Sequence, residues 1–119
     1  MYIIKPSSPM HVSPNNKSGL ETECLFGESV KILKKKFNWY YCQLLTDNYC
    51  GWLKKKDIGY LSCPTHRVIS TRAFLYSDKD IKSLIIDYLP FGAKLHVKKI
   101  EHGWAKIFFS NAHKTKIAY

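Results

Sequence analysis

Apolar and polar positions alternate along this chain in short runs. Val30-Lys31-Ile32 and Leu95-His96-Val97 each set apolar side chains two apart, the period of a strand with one buried face. Each run leads to a turn former and then a tryptophan, Asn38 before Trp39 and Gly103 before Trp104. The pattern therefore predicts a hairpin at each place. "WYYCQLL" and "WAKIFF", dense in aromatic and apolar residues, are the returning strands. After the first of them, "TDNYCGWL" supplies an Asp-Asn turn and a strand opening at Gly51-Trp52. No stretch predicts a long helix. The most helix-like segment, "DKDIKSLIIDYL" at residues 78–89, aligns with "SPNNKSGLETEC", where Pro14 and Gly19 oppose a helix. Both are read as a loop followed by a strand.

The two hairpins belong to a longer repeat. "LFGESVKILKKKFNW" at residues 25–39 is echoed by "PFGAKLHVKKIEHGW" at residues 90–104. Setting Gly27 on Gly92 gives an offset of 92 − 27 = 65, which also carries Met10 onto Leu75, His11 onto Tyr76 and Trp39 onto Trp104. Over residues 10–54 only six pairs are identical, at Lys17, Ser18, Phe26, Gly27, Lys34 and Trp39, so the repeat resides in pattern rather than identity. A period this long exceeds a solenoid unit and suits tandem small domains. The expected organisation is all-β: two small β-barrels, residues 1–62 and 63–119, joined at "GYLSCPTH", where Pro64 marks the boundary. The second copy is expected to be incomplete at its closing strand. Ile117 stands where Trp52 stands (52 + 65 = 117), and Tyr119 falls inside that strand.

Composition narrows the function classes. With 45% apolar and 24% charged residues, the 119-residue chain suits a folded protein rather than a disordered one. The formal charge of +10 fits an anionic partner, such as nucleic acid, an anionic polymer or a membrane surface, or else a solvated lysine-rich face. No apolar run approaches the roughly 18 residues of a membrane span. The opening "MYIIKPSSPMHVSPNN" does not read as a secretory signal, so a cytoplasmic location is expected.

Cys24, Cys42, Cys50 and Cys63 form no Cys-x-x-Cys pair, and neither a metal nor another cofactor is expected. Cys24 and Cys42 fall on Leu89 and Ile107 of the second copy, as core thiols would. Cys63 has His66 three residues on and His113 further along, but it adjoins Pro64, where no helix terminus is available to activate a thiol. No catalytic residue is expected in this chain.

The Phe-Gly-Glu entry, the Trp after the first hairpin, and Tyr-x-Gly-Trp at residues 49–52 together resemble bacterial SH3-like domains. With Pro-Thr-His-Arg at residues 64–67, nearly the whole chain from Met10 onward is similar to the tandem SH3-like region of NlpC-type cysteine peptidases. Such enzymes cleave murein peptides, typically between γ-D-glutamate and a diamino acid; their peptidase domain is absent here. The resemblance implies two SH3-like barrels that act as a non-catalytic targeting and recognition module for a cell-wall peptide hydrolase. Its partners would be a peptidoglycan-derived peptide, a cysteine peptidase domain, or both.

By the same resemblance, Tyr49 would contact the substrate. Glu21, more than Glu23, would pair the peptide's free ammonium group by a charge-assisted hydrogen bond. Trp39 and Trp104 are candidates for core packing and for a ligand or domain-contact surface. Glu28, opposite Ala93 in the repeat, is expected to be solvated. The alternative is a basic SH3-like nucleic-acid-binding protein, with Lys34, Lys35, Lys36, Lys54, Lys55 and Lys56 meeting phosphates. Against it, the aromatics occupy barrel positions rather than a stacking array. A proline-peptide SH3 adaptor lacks its acidic rim here. The unfinished second copy is expected to be the less stable half and a site of self-association.

Overall fold

The structure, a computed structural model, describes residues 1–111 and 114–118, with side chains described as far as Ile107. The first half contains β1 (Tyr2–Ile3), β2 (Ser7–His11), β3 (Leu20–Leu25), β4 (Val30–Lys36), β5 (Trp39–Leu44), β6 (Cys50–Lys54), a 3-10 turn (Lys55–Asp57) and β7 (Ile58–Gly59). The second contains β8 (His66–Arg67), β9 (Arg72–Tyr76), β10 (Ile85–Pro90), β11 (Lys94–Glu101), β12 (Trp104–Asn111) and β13 (Lys114–Ala118). The fold is all-β and SH3-like, and residues 78–84 form loop rather than helix before β10.

In the first half, β3-β2-β6-β5-β4 make one antiparallel sheet around Met10, Cys24, Val30, Cys42, Leu44 and Leu53. The sheet does not close into the expected barrel. The N-terminal residues bond the turn that links β3 to β4, with Val30 N–H donating to the Met1 carbonyl at 3.0 Å and Gly27 N–H to the Ile3 carbonyl at 2.9 Å. β1 pairs with β7 in a sheet of its own, and β3 and β4 remain the two edges of the larger sheet.

Backbone bonding repeats at the 65-residue offset, and further upstream than Met10. Ile3 N–H donates to the Glu28 carbonyl at 3.0 Å, and Val68 N–H to the Ala93 carbonyl at 2.8 Å. The loops after β2 and β9 are also held alike. Ser18 Oγ donates to the Asn15 carbonyl at 2.8 Å, and Ser83 Oγ to the Asp80 carbonyl at 2.6 Å. Short Asx and Ser side chains stabilise such turns by bonding nearby backbone.

The second half departs from this plan at its closing strand. β13 is present and pairs with β12, but Ile107 faces Ala118, whereas the counterpart Cys42 faces Gly51 (51 + 65 = 116), a register two residues different. In the first half β6 also joins β2 through His11 and Trp52. Among the described residues β13 has no such link to β9, and the second half splits into β10-β9 and β13-β12-β11-β8.

The halves share a core residue. Phe26 leaves its own sheet and is buried with Val68, Leu75, Leu89, Ala93 and Ile107. Lys94 N–H donates to the Phe26 carbonyl at 2.8 Å. Gly27, at φ +83°, packs so tightly on the Lys94 backbone that a side chain there would overlap it. Glycine meets both demands.

Candidate ligand-binding groove

A groove of about 540 Å³ opens at the tip of the first hairpin and is lined by Asn16, Asn38, Trp39, Lys54, Lys55 and Lys56. Register builds it: Trp39, the first residue of β5, lies opposite Lys36 on one side and Lys54 on the other. Lys55 N–H donates to the Asn38 carbonyl at 2.8 Å, drawing the 3-10 turn against the hairpin tip. From below, the turn is held by Ser8 Oγ, which donates to Asp57 Oδ2 at 2.7 Å, with both residues buried. A satisfied polar pair of this kind fixes position where an unpaired one would be costly.

The indole is also supported. Buried His11 meets Trp39 edge-on, with centroids 5.4 Å apart and planes at 89°, a favoured aromatic geometry. Beside the groove, Phe37 turns the hairpin at φ +53° with 91% of its surface exposed. A bulky residue rarely takes that backbone region. Among the described residues, Lys54, Lys55 and Lys56 form no ion pair.

Trp104 repeats the arrangement with a different charge. Tyr76 meets it edge-on at 5.4 Å and 90°, and a cleft of about 120 Å³ is lined by Lys79, Lys99, Glu101, Trp104 and Lys106. Glu101 pairs with Lys79 at 3.3 Å and Lys99 at 3.2 Å. Hydrogen bonds from Lys99 and then Lys79 hold its carboxyl below the usual range. Lys36 stands at that place in the first copy (36 + 65 = 101). No acidic residue lines the first groove, whereas in the second Glu101 offsets part of the charge of Lys79, Lys99 and Lys106.

Tyr49 is 48% exposed in the turn before β6, and its carbonyl accepts from Leu44 N–H at 2.8 Å. Glu21 is exposed on β3, with β2 between it and β6. Neither lines the Trp39 groove, and among the described residues no hydrogen bond joins them.

Glu28 is buried, contrary to the solvated role expected for it. Its Oε1 accepts from Leu25 N–H at 2.9 Å, and its own N–H donates to the Leu25 carbonyl at 3.1 Å. In the second copy Pro90 replaces Leu25 and has no N–H to satisfy, so Ala93 suffices where Glu28 is needed.

Cys24 and Cys42 are buried free thiols, both pushed up to about 12, by burial first and in Cys24 also by nearby carboxylates, Glu28 foremost. Cys63 is exposed, and its carbonyl accepts from His96 Nδ1 at 2.8 Å. His66 Nδ1 bonds Thr65 Oγ1 at 2.8 Å rather than a thiol. His113 lies outside the described residues. Among the described residues no group of His, Cys, Asp and Glu suits a metal ion, and no helix is long and apolar enough to cross a membrane.

Sequence reasoning named the lysines only as phosphate contacts and missed Asn16 and Phe37. The signal was the coincidence of a turn, a Trp and a lysine run, which only strand register brings together.

Residues 10–58 match the family model for the bacterial dipeptidyl-peptidase Sh3 domain. That stretch, somewhat under half of the chain, runs from β2 to the start of β7 and includes every residue lining the Trp39 groove. That part is similar to an SH3 module of a peptidase-associated kind. No curated protein matches the chain.

Proposed function

We propose that the chain is a non-catalytic recognition module for a murein-peptide cysteine hydrolase, built as two SH3-like units, residues 1–62 and 63–119, and acting in the cytoplasm. The match of residues 10–58 to the bacterial dipeptidyl-peptidase Sh3 domain carries this reading. The module holds a peptidoglycan-derived peptide, docks a peptidase domain, or both. Tyr49 and Glu21 are the proposed contacts for the ammonium end of the peptide, since both are exposed and neither is tied up in an ion pair among the described residues.

Isothermal titration of the full chain with L-Ala-γ-D-Glu-diaminopimelate tests this. Saturable binding, weakened by Tyr49→Ala or Glu21→Gln, is the expected result. Absence of binding to that peptide, and to a co-expressed NlpC-type peptidase domain, would overturn it.

A further inference from the structure

The lysine run 54–56 does more than give the surface its charge. Its three side chains line one groove with an indole and two amides, on a turn anchored by the buried Ser8–Asp57 bond. A solvated basic face requires no such anchoring. The volume of about 540 Å³ suits a short ligand, since small-molecule sites run from roughly 300 to 1,000 Å³.

From this geometry we infer that the Trp39 groove is a binding site for the carboxylate-bearing end of a short acidic peptide. Lys54, Lys55 and Lys56 meet the carboxylates by charge-assisted hydrogen bonds. Asn16 and Asn38 supply amide donors and acceptors for peptide groups, and Trp39 is the apolar floor. This reading deepens the proposed function and rests on it, adding an anionic subsite separate from Tyr49 and Glu21.

The makeup of the groove favours a peptide over a nucleic acid. One aromatic side chain lines the groove, whereas single strands are held by a series of stacking platforms.

The test follows indole N–H resonances of the 15N-labelled full chain, with Trp39 assigned by Trp39→Phe. Three probes are titrated: L-Ala-γ-D-Glu-diaminopimelate, the same peptide with its carboxylates amidated, and a thymidine tetranucleotide. The free-acid peptide is expected to shift the Trp39 resonance, and the amidated one is not. Replacing Lys54, Lys55 and Lys56 together by Gln is expected to weaken binding roughly tenfold or more. Removing two charges elsewhere, Lys31→Gln with Lys82→Gln, is expected to change it by less than about threefold.

If the peptide binds and the triple substitution leaves its affinity unchanged, the groove assignment fails while the proposed function stands. If the tetranucleotide binds this groove more tightly than the peptide, the acidic-peptide assignment is replaced by a nucleic-acid one. If neither probe binds, the groove assignment and the peptide-holding role fall together.

Discussion

Phe26 and Phe91 hold the same place in the repeat but opposite environments: Phe26 is 2% exposed inside the core of the second half, and Phe91 is 62% exposed. The first Phe-Gly turn has become a plug for its neighbour, joined to it by the Lys94–Phe26 backbone bond. The halves are thereby coupled through one aromatic ring and one turn.

Phe26→Ala is therefore expected to cost about 3–5 kcal/mol, the usual range for emptying a buried phenyl site. Phe91→Ala should stay within about 0.5 kcal/mol. Denaturant unfolding measures both. Hydrogen exchange should place the Phe26→Ala loss at Leu75 and Leu89, not at Cys24 and Cys42. Equal losses for the two substitutions would mean that the ring does not join the halves.

Glu28 gives a second expectation with an internal control. Glu28→Ala leaves Leu25 N–H without its partner, at a cost of about 1–3 kcal/mol. Glu28→Gln keeps an acceptor oxygen and should lose less. Thermal unfolding of the two variants decides the matter, and an alanine variant as stable as the glutamine one would show that the bond does not contribute.

How much of this could be read beforehand depends on whether the cause was local. The 65-residue offset was legible because the same short side chains, Asn15 with Ser18 and Asp80 with Ser83, close the same loops. The hairpins were legible from period-2 runs ending in turn residues. Phe26 was not, because packing across two copies leaves no mark in either copy's pattern. Nor was the part played by residues 1–4, which bond the turn after β3 but lie upstream of Met10, where the visible repeat begins. Glu28 was misread for want of one comparison, Leu25 with Pro90. Of the candidate site, the matched tryptophans were legible, but the groove needed strand register to set Lys54 opposite Trp39.

Cys24 and Cys42 yield a pH expectation. Both thiols are pushed up from the ordinary 9.0 to about 12 in the folded chain. The folded state keeps these protons where the unfolded state has released them, so their contribution is fully present below about pH 9 and is lost as pH rises toward 12. Stability should fall over that window, and less steeply in a Cys24→Ala/Cys42→Val variant whose midpoint is measured across it. The same burial predicts selective labelling: a thiol reagent at pH 8 should reach exposed Cys63 at once and Cys24 and Cys42 only on unfolding.

The split of the second sheet sets the last expectation. β2 is bonded on both sides, to β3 and β6, whereas β9 has β10 on one side and, among the described residues, no strand on the other. An unpaired edge exchanges its amides readily and offers a template to another chain. Phe74, Ile85, Ile86 and Tyr88 on β9 and β10 add exposed apolar surface to that edge. Amides of β9 and β10 are therefore expected to exchange faster than those of β2 and β3. Self-association at high concentration should slow exchange in β9 first. Hydrogen exchange read by mass spectrometry, at concentrations below and above any dimerisation seen by sedimentation, tests both parts. Equal protection of the two hairpins in a monomeric sample would show that the edge is covered, and a dimer that protects β3 or β4 instead would place the contact on the other half of the molecule.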